Sequence, residues 1–208
     1  MAESKQEERK RATRRKLLEA ASRVFVERGY HAPLIADMVA EAGVGQGTFY
    51  RYFDSKRQII EILLDDIVGG LLSQFVEMSE SLPDSAEAYR EASEQAILRV
   101  AEVMDTQQEL CSMFLREGPS VDSAFAEKLD GILARFAELA RFFLDHAITN
   151  GFARPCRSDV VSQALVGMAL GLFESRGRGL FSDLDASALV AEGVALIFQG
   201  IGPETVEG

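Results

Sequence analysis

The sequence predicts an all-α fold, with a small helical head at the N-terminus and a larger helical body behind it. Apolar residues recur at helical spacing along almost every stretch, and no segment alternates with the period of two that marks a strand. Only five prolines interrupt the 208 residues. Together these observations predict about nine helices and no sheet.

The first helix is predicted over residues 7–28. Its apolar face follows helical spacing and contains Leu17, Ala21, Val24 and Phe25. Gly29 is a natural end for this helix, because glycine readily adopts the left-handed conformation that follows a last helical turn. Six basic residues lie between positions 9 and 16, so we expect the start of the chain to project from the core as a basic, flexible arm.

Two short helices are predicted next, over residues 34–42 and 46–53. Pro33 suits the start of the first of them, where a missing backbone N–H removes no helical hydrogen bond. The glycine-containing segment 43–45 separates the two helices. The residues expected to pack on the inner side are Met38, Val39, Val44, Phe49 and Phe53.

The body is predicted to contain six further helices. Ser55 and Gln58 have the spacing of a capping box at the start of the first one. The pair Gly118-Pro119 is expected to stop the third. The predicted ranges are residues 55–78, 84–105, 107–117, 120–149, 158–176 and 185–200.

Charge is distributed unevenly between the two parts. The net charge is −11, yet residues 1–57 contain 12 Lys and Arg against 8 Asp and Glu, whereas residues 58–208 contain 10 against 25. A basic head on an acidic body favours two tasks in one chain, one of them at a polyanion. A solvated basic arm is an equally good explanation of the charge alone.

The composition favours a cytoplasmic protein that is neither an enzyme nor a membrane protein. The start of the chain lacks the apolar core of a secretory signal, and no apolar run reaches the ~18 residues of a transmembrane helix. The unpaired spacing of Cys111 and Cys156 favours reduced thiols. His31 and His146 form no ligand cluster, and segment 43–47 lacks the strand and lysine of a nucleotide loop. We therefore expect no metal, cofactor or catalytic site.

The head has the features that a DNA-binding helix-turn-helix requires. Two short helices joined by a glycine-containing turn follow a longer helix, so the second short helix can present its outer face to a major groove. On that face Gln46 and Thr48 suit base edges. The side chains that suit phosphates are Tyr50, Arg51, Tyr52 and Lys56. We predict a DNA-binding domain over residues 1–54.

Segment 42–56, with the sequence AGVGQGTFYRYFDSK, resembles the signature of the tetracycline-repressor (TetR) family. Val24-Phe25 and segment 28–30 in the first helix add to the resemblance, which extends over about residues 13–63. The resemblance implies a DNA-binding head, a helical ligand-binding and dimerisation domain over residues 55–208, and a homodimer built on the last two helices. It places the following residues at the DNA: Gln46, Gly47, Thr48, Tyr50, Tyr52 and Lys56.

The chain departs from the family pattern at two places. Pro33-Leu34 replaces a common Thr/Ser pair, so a hydroxyl contact to phosphate is absent there. Gly45 replaces a common Ser, so the second short helix lacks a side-chain cap. A Ser-to-Gly exchange at a cap costs roughly a few tenths of a kcal/mol, and the predicted fold is therefore unaffected.

Apolar residues of the body are candidates for a ligand pocket and for a dimer interface, and plain core packing is the alternative for both. The resemblance favours a pocket for an apolar or amphipathic molecule, lined by Met104, Cys111, Met113, Phe114, Phe142, Met168 and Phe173. Small residues on the last two helices permit close packing against a second copy. The predicted interface residues are Ala164, Gly167, Met168, Gly171, Val194, Ala195 and Phe198.

These observations predict a ligand-responsive transcriptional regulator. The favoured form is a repressor that binds a pseudo-palindromic operator in double-stranded DNA as a homodimer and is released by a small apolar or amphipathic molecule. A transcriptional activator and an architectural DNA-binding protein without a ligand stay open, because both use the same head. An enzyme with an appended DNA-binding head has no catalytic constellation to support it.

Overall fold

The architecture is a succession of ten helices over the part of the chain that the structure describes. A computed structural model gives the fold of residues 5–201, apart from the side chains at positions 77 and 201. In chain order the helices are α1 (Lys5–Arg28), α2 (Ile35–Glu41), α3 (Gln46–Phe49), α4 (Lys56–Ser73), α5 (Val76–Glu80), α6 (Ala86–Thr106), α7 (Gln108–Val121), α8 (Ser123–Thr149), α9 (Ser158–Gly177) and α10 (Ala186–Ile201). Residues 5–201 contain no strand, and the predicted all-α class is confirmed. None of the ten helices is both long and apolar enough to cross a membrane.

An interruption in one predicted helix explains why ten helices form where about nine are predicted. α4 ends at Ser73, and α5 begins at Val76. At the break, Ser73 Oγ and Gln74 Nε2 both donate to the carbonyl of Gly70, at 2.7 and 2.9 Å. Side chains that bond a helical carbonyl compete with the backbone ladder. The amide of Gln74 bonds only three residues back, which tightens and ends the turn.

The predicted stop at Gly118-Pro119 is wrong. α7 continues through Pro119 and ends at Val121, because a proline so near the end of a helix removes few backbone bonds. Ser120 Oγ also donates to the carbonyl three residues back, at 2.7 Å. The next helix is capped by Asp122, whose carboxylate accepts a hydrogen bond from the amide of Phe125 at 2.8 Å.

The chain divides into two compact units that do not follow a single cut in the sequence. The first contains the described residues up to Val68 together with Glu109–Ala126, and the second contains Gly69–Gln108 and the described residues from Glu127 onward. Compactness does not by itself define where a folding domain ends. The predicted boundary between residues 54 and 55 therefore stays a prediction.

The core of the first unit lies beneath α1, α2, α3 and the start of α4. The side chains with at most 1% exposure in these elements and the residues that follow α2 and α3 are Leu17, Ala20, Ala21, Phe25, Met38, Ala42, Phe49, Phe53, Ile59 and Ile60. Burial begins abruptly at Leu17. The basic residues before it form the first turns of α1 and are exposed, whereas residues 1–4 of the predicted arm lie outside the described range.

The second unit has a separate aromatic core. Its buried members are Met78, Tyr89, Phe143, Leu144, Ala147 and Ala153. The ring of Tyr89 lies 6.2 Å from Phe152 and 6.0 Å from Phe198, centroid to centroid. Burial among these rings raises the pKa of Tyr89 to about 12. α10 packs against α6 in this unit.

Candidate nucleic-acid interface

The turn between α2 and α3 is closed by hydrogen bonds that require a left-handed residue. The amides of Gly43 and Val44 bond back to the carbonyls of Ala40 and Val39, both at 3.0 Å. Gly43 has φ +60°, which costs other L-residues roughly 1–2 kcal/mol. This Schellman ending fixes the direction in which the chain leaves α2 and enters α3.

The recognition segment, defined here as residues 46–53, is held from its inner side by buried rings. Phe49 and Phe53 are 0% and 1% exposed, and their centroids lie 5.8 Å apart. Met38 and Val39 of α2 are buried as well. Four of the five residues predicted for the inner packing are therefore buried, whereas Val44 is half-buried. The packing leaves the other side of the segment free to face a ligand.

Regular helix in the recognition segment is shorter than the sequence predicts. α3 comprises only the four residues Gln46–Phe49, and Gly45 precedes it without a side-chain cap. Hydrogen bonds from Tyr52 to the carbonyl of Phe49, at 2.9 Å, and from Phe53 to the same carbonyl, at 3.0 Å, carry the turn onward. The segment ends in tightened turns, so its last side chains do not follow ideal helical positions.

The outer side of the recognition segment is polar and accessible. Gln46, Gly47, Tyr50 and Arg51 are exposed, and Thr48 and Tyr52 are half-buried. Six of the seven predicted DNA-binding residues thus lie on one short segment whose inner side is buried. No heavy atom outside its immediate neighbours lies within 4 Å of the position that a Cβ at Gly47 would take, so the backbone there is open to close approach.

The junction between the recognition segment and α4 is capped as predicted. Ser55 Oγ accepts a hydrogen bond from the amide of Gln58 at 3.1 Å, and Gln58 Oε1 accepts one from the amide of Asp54 at 2.7 Å. The reciprocal pair satisfies two backbone donors at the start of α4. It also fixes the end of the recognition segment against a long helix.

The seventh predicted residue, Lys56, occupies a different environment. Its ammonium group donates to the carbonyls of Tyr30, His31 and Pro33 at 2.6, 3.3 and 3.0 Å. It also lies 4.5 Å from the centroid of the Tyr30 ring. Partial burial lowers the pKa of Lys56. Through these contacts Lys56 holds backbone carbonyls of the head, a role that its position in the sequence does not indicate.

Two cations of α1 lie near the α2–α3 turn and the end of the recognition segment, and reasoning from the sequence did not assign them to the site. The guanidinium of Arg14 lies 5.4 Å from the centroid of Phe53. The ammonium of Lys16 lies 3.7 Å from the position that a Cβ at Gly43 would take. The signal was available, because Arg14 and Lys16 come immediately before Leu17, the first buried residue of α1. That proximity indicates a helix turn already packed against the head rather than part of a free arm.

The predicted ligand-pocket residues are divided between the two compact units. Cys111, Met113 and Phe114 are buried in the first unit, where Phe114 stacks on Phe125 with centroids 6.1 Å apart. Those in the second unit are the half-buried Met104 and Met168, the buried Phe173 and the 48%-exposed Phe142. Burial of this kind accords with both core and pocket, so the assignment stays a prediction.

The predicted interface residues on α9 and α10 do not share one environment. Ala164, Gly167 and Gly171 are exposed along one side of α9. Val194, in contrast, is 1% exposed, and the ring of Phe198 lies beside Tyr89 in the core of the second unit. The half-buried residues of this predicted set are Met168, Ala195 and Phe198.

The outward side of α10 is formed by residues that the sequence analysis did not select. Leu196 is 64% exposed, and Val160 on α9 is 57% exposed. Because each helical position turns by about 100°, Leu196 lies about 200° from the buried Val194 and therefore faces solvent. Apolar periodicity alone does not indicate which of two nearby apolar residues faces outward.

A tri-helical helix-turn-helix with a rigid inner side and a polar, accessible recognition segment defines a DNA-binding transcription regulator. Residues 17–63 match the model of the family described as bacterial regulatory proteins, tetR family. Residues 17–63 therefore carry the DNA-binding domain of the TetR family of helix-turn-helix transcriptional regulators.

Similar proteins extend the likeness beyond the head. The HTH-type regulator YdgC of Bacillus subtilis is 29% identical over 199 residues, which cover 92% of this chain and 94% of YdgC. Several other curated regulators match over shorter stretches, and each of these stretches covers about a third of the regulator's own length. The fold resembles that of the fatty acid degradation regulator FadR from Bacillus halodurans, with a TM-score of 0.74, 18% identity and coverage of 90% and 95% of the two chains. It also resembles SmeT in its complex with triclosan, with a TM-score of 0.77, 17% identity and 95% coverage of each chain.

Proposed function

We propose that this chain is a ligand-responsive transcriptional repressor that acts in the bacterial cytoplasm. In this proposal a homodimer binds a pseudo-palindromic operator in double-stranded DNA and is released by a small apolar or amphipathic molecule. The observation that supports DNA reading most directly is the recognition segment, whose inner rings are fully buried and whose outer side is polar and accessible.

The proposed contacts divide by chemistry. Gln46 and Thr48 would read base edges, since an amide and a hydroxyl donate and accept hydrogen bonds in the major groove. Tyr50, Arg51 and Tyr52 would bind phosphates and set the register of the protein on the duplex. Gly47, between the two base-reading residues, would let the backbone come close to the DNA.

The positive charge needed for binding to DNA is concentrated in the head. The cations Arg14, beside Phe53, and Lys16, beside the turn at Gly43, would add phosphate contacts near the recognition segment. The acidic body would repel DNA, which favours an orientation with the head against the duplex.

A dimer follows from the geometry of reading a palindrome. Two recognition segments related by a twofold axis match two half-sites, so a single head would read only half of the operator. We assign the interface to the exposed side of α9 and α10, with Ala164, Gly167 and Gly171 permitting close packing. Leu196 and Val160 would contribute apolar area to the same interface.

The effector is proposed to be apolar or amphipathic. The candidate lining of Met, Cys and Phe side chains suits such a molecule. Two proteins of similar fold are in keeping with this class, since one is a fatty acid degradation regulator and the other is bound to triclosan. Effector and DNA would oppose each other by a coupling free energy of about 1–3 kcal/mol, and DNA would weaken effector binding by the same factor.

Selection from a random-sequence duplex library on the purified protein tests the proposal. A repressor or activator of this design enriches a sequence with inverted half-sites, and light scattering gives the mass of a dimer. An architectural protein enriches no sequence at moderate salt. Placement of the enriched sequence across or upstream of a promoter then separates repression from activation in a reporter assay.

A further inference from the structure

Two charged side chains hydrogen-bond the backbone of the junction between α1 and α2. Glu117 Oε2 of α7 accepts a hydrogen bond from the amide of Tyr30 at 2.8 Å. The ammonium of Lys56, in turn, donates hydrogen bonds to the carbonyls of Tyr30, His31 and Pro33. An anion and a cation therefore hold the same few peptide groups.

The three carbonyls leave Lys56 little capacity for a further partner. An ammonium group has three N–H donors, and the three bonds to carbonyl oxygens match that number. The stem is half-buried, and the Tyr30 ring lies 4.5 Å from the ammonium. A phosphate could be bound only by withdrawing the group from these partners.

The opposite side of the junction is shaped to admit a carboxylate. Gly29 ends α1 with φ +73°, and a Cβ at this position would lie 2.6 Å from Glu117 Oε2. The absence of a side chain at Gly29 thus lets the carboxylate reach the free amide that follows the helix. Neighbouring contacts bring the same stretch of chain to the head, since Ser120 Oγ lies 3.1 Å from His31 Nε2 and Asp122 binds Arg57 Nε at 2.6 Å.

The held junction leads directly into the DNA-reading elements. Pro33, whose carbonyl is bound by Lys56, lies two residues before the first residue of α2. α2 in turn packs on α1 and is joined to α3 through the closed turn at Gly43. A change at the junction would therefore shift α2 and α3 together.

We propose that Lys56 and Glu117 are positioning residues for DNA recognition, and that Lys56 is not a phosphate contact. They fix the α1–α2 junction so that the recognition segment meets the groove in the correct orientation. This inference rests on the proposed DNA-reading function and reassigns Lys56 within it.

The salt dependence of binding separates the two roles of Lys56. Each phosphate contact adds about 0.9 to the slope of log K against log salt concentration on duplex DNA. We expect Lys56→Met to weaken binding to the library-selected duplex on the order of tenfold, with little loss on a random-sequence duplex and no change of slope. The matched control is Lys16→Met, in which an exposed lysine at the same head is lost, and it should flatten the slope by about 0.9. A slope flattened to that extent in Lys56→Met, or unchanged binding to the selected duplex, would overturn the proposal.

Glu117 is tested by a pair of substitutions of similar length. Glu117→Gln retains a carbonyl oxygen that can accept the Tyr30 amide, and it should bind the selected duplex nearly as the parent does. Glu117→Met has no such acceptor and should lose affinity on the order of tenfold. Equal behaviour of the two variants would contradict the hydrogen-bond role.

Hydrogen exchange provides a readout that does not depend on DNA. The Tyr30 amide should exchange on the order of tenfold faster in Glu117→Met than in the parent, while amides in the core of α8 keep their protection. Unchanged exchange at Tyr30 would contradict the proposed role of Glu117 in holding the α1–α2 junction, even if DNA binding is confirmed. A parent protein that prefers no duplex would refute the proposed function and leave this result standing.

Discussion

The head and the last two helices differ in how completely they bury their apolar side chains. In the head, large residues such as Phe25, Phe49 and Phe53 are at most 1% exposed. In α9 and α10, Val160 and Leu196 remain 57% and 64% exposed. Both regions have apolar residues at helical spacing, yet the inner face of the head is closed within one chain, and Leu34, at the start of α2, is the one large aliphatic side chain widely exposed among the head's described residues, at 68%.

This difference accords with two distinct tasks. A side chain that must read DNA needs a rigid support, and the closed core beneath the recognition segment provides it. Large apolar side chains left exposed, such as Val160 and Leu196, are candidates for a surface that associates with another protein. The comparison therefore favours a head that is complete in one chain and a body that is completed by a second copy.

The largest expected effect is on the closed core of the head. Phe49→Ala removes a fully buried ring and should lower the free energy of unfolding by about 3–5 kcal/mol. Chemical denaturation followed by circular dichroism measures the change. A loss below about 1 kcal/mol would show that the inner side of the recognition segment is not the rigid support that the comparison requires.

A charge placed on the exposed side of α10 should weaken dimerisation and leave folding unaffected. Leu196→Glu places like charges opposite each other across the proposed twofold interface, at a cost of several kcal/mol in association. Sedimentation should show a shift from dimer toward monomer. The control Val76→Glu replaces a residue of α5 that is 48% exposed, and it should leave the dimer intact. A dimer that tolerates Leu196→Glu would move the interface elsewhere.

A smaller effect is expected at Gly47, where one substitution should change stability and DNA binding in opposite directions. Gly47→Ala meets no atom within 4 Å and should stabilise α3 by roughly 0.5–1 kcal/mol, because alanine favours helix over glycine. Binding to DNA should nevertheless weaken, since the added methyl group occupies space needed by the duplex. Gly131→Ala in α8 is the matched control, with equally open surroundings, and should raise stability without affecting DNA. Unaltered binding in Gly47→Ala would argue against close backbone approach.

The fold of the head could be predicted from the sequence because its signals are local. Turn glycines, the Ser55 capping box and apolar spacing each depend on residues within a few positions of one another. The break at Ser73 is local as well, but the apolar spacing continues through it and does not show that side chains bond the carbonyl of Gly70. The extension of α7 through Pro119 likewise shows that a proline does not stop every helix.

The candidate site shows the same limit. Spacing selects Gln46, Thr48 and the tyrosines of the recognition segment, but it does not reveal that Lys56 binds three carbonyls. Lys56 reaches those carbonyls only in the folded chain, and Glu117 likewise reaches the amide of Tyr30, 87 residues away in the sequence. Long-range contacts of this kind leave no periodic trace in the sequence.

The sequence selectivity of recognition-segment variants tests the central claim most directly. Binding constants of the parent, Gln46→Ala and Thr48→Ala would be measured on the selected duplex and on a set of its single-base variants. Each substitution should relax discrimination at one base position by about 1–3 kcal/mol, with the other positions unaffected. Unchanged discrimination at every position in both variants would contradict the claim that this segment reads DNA.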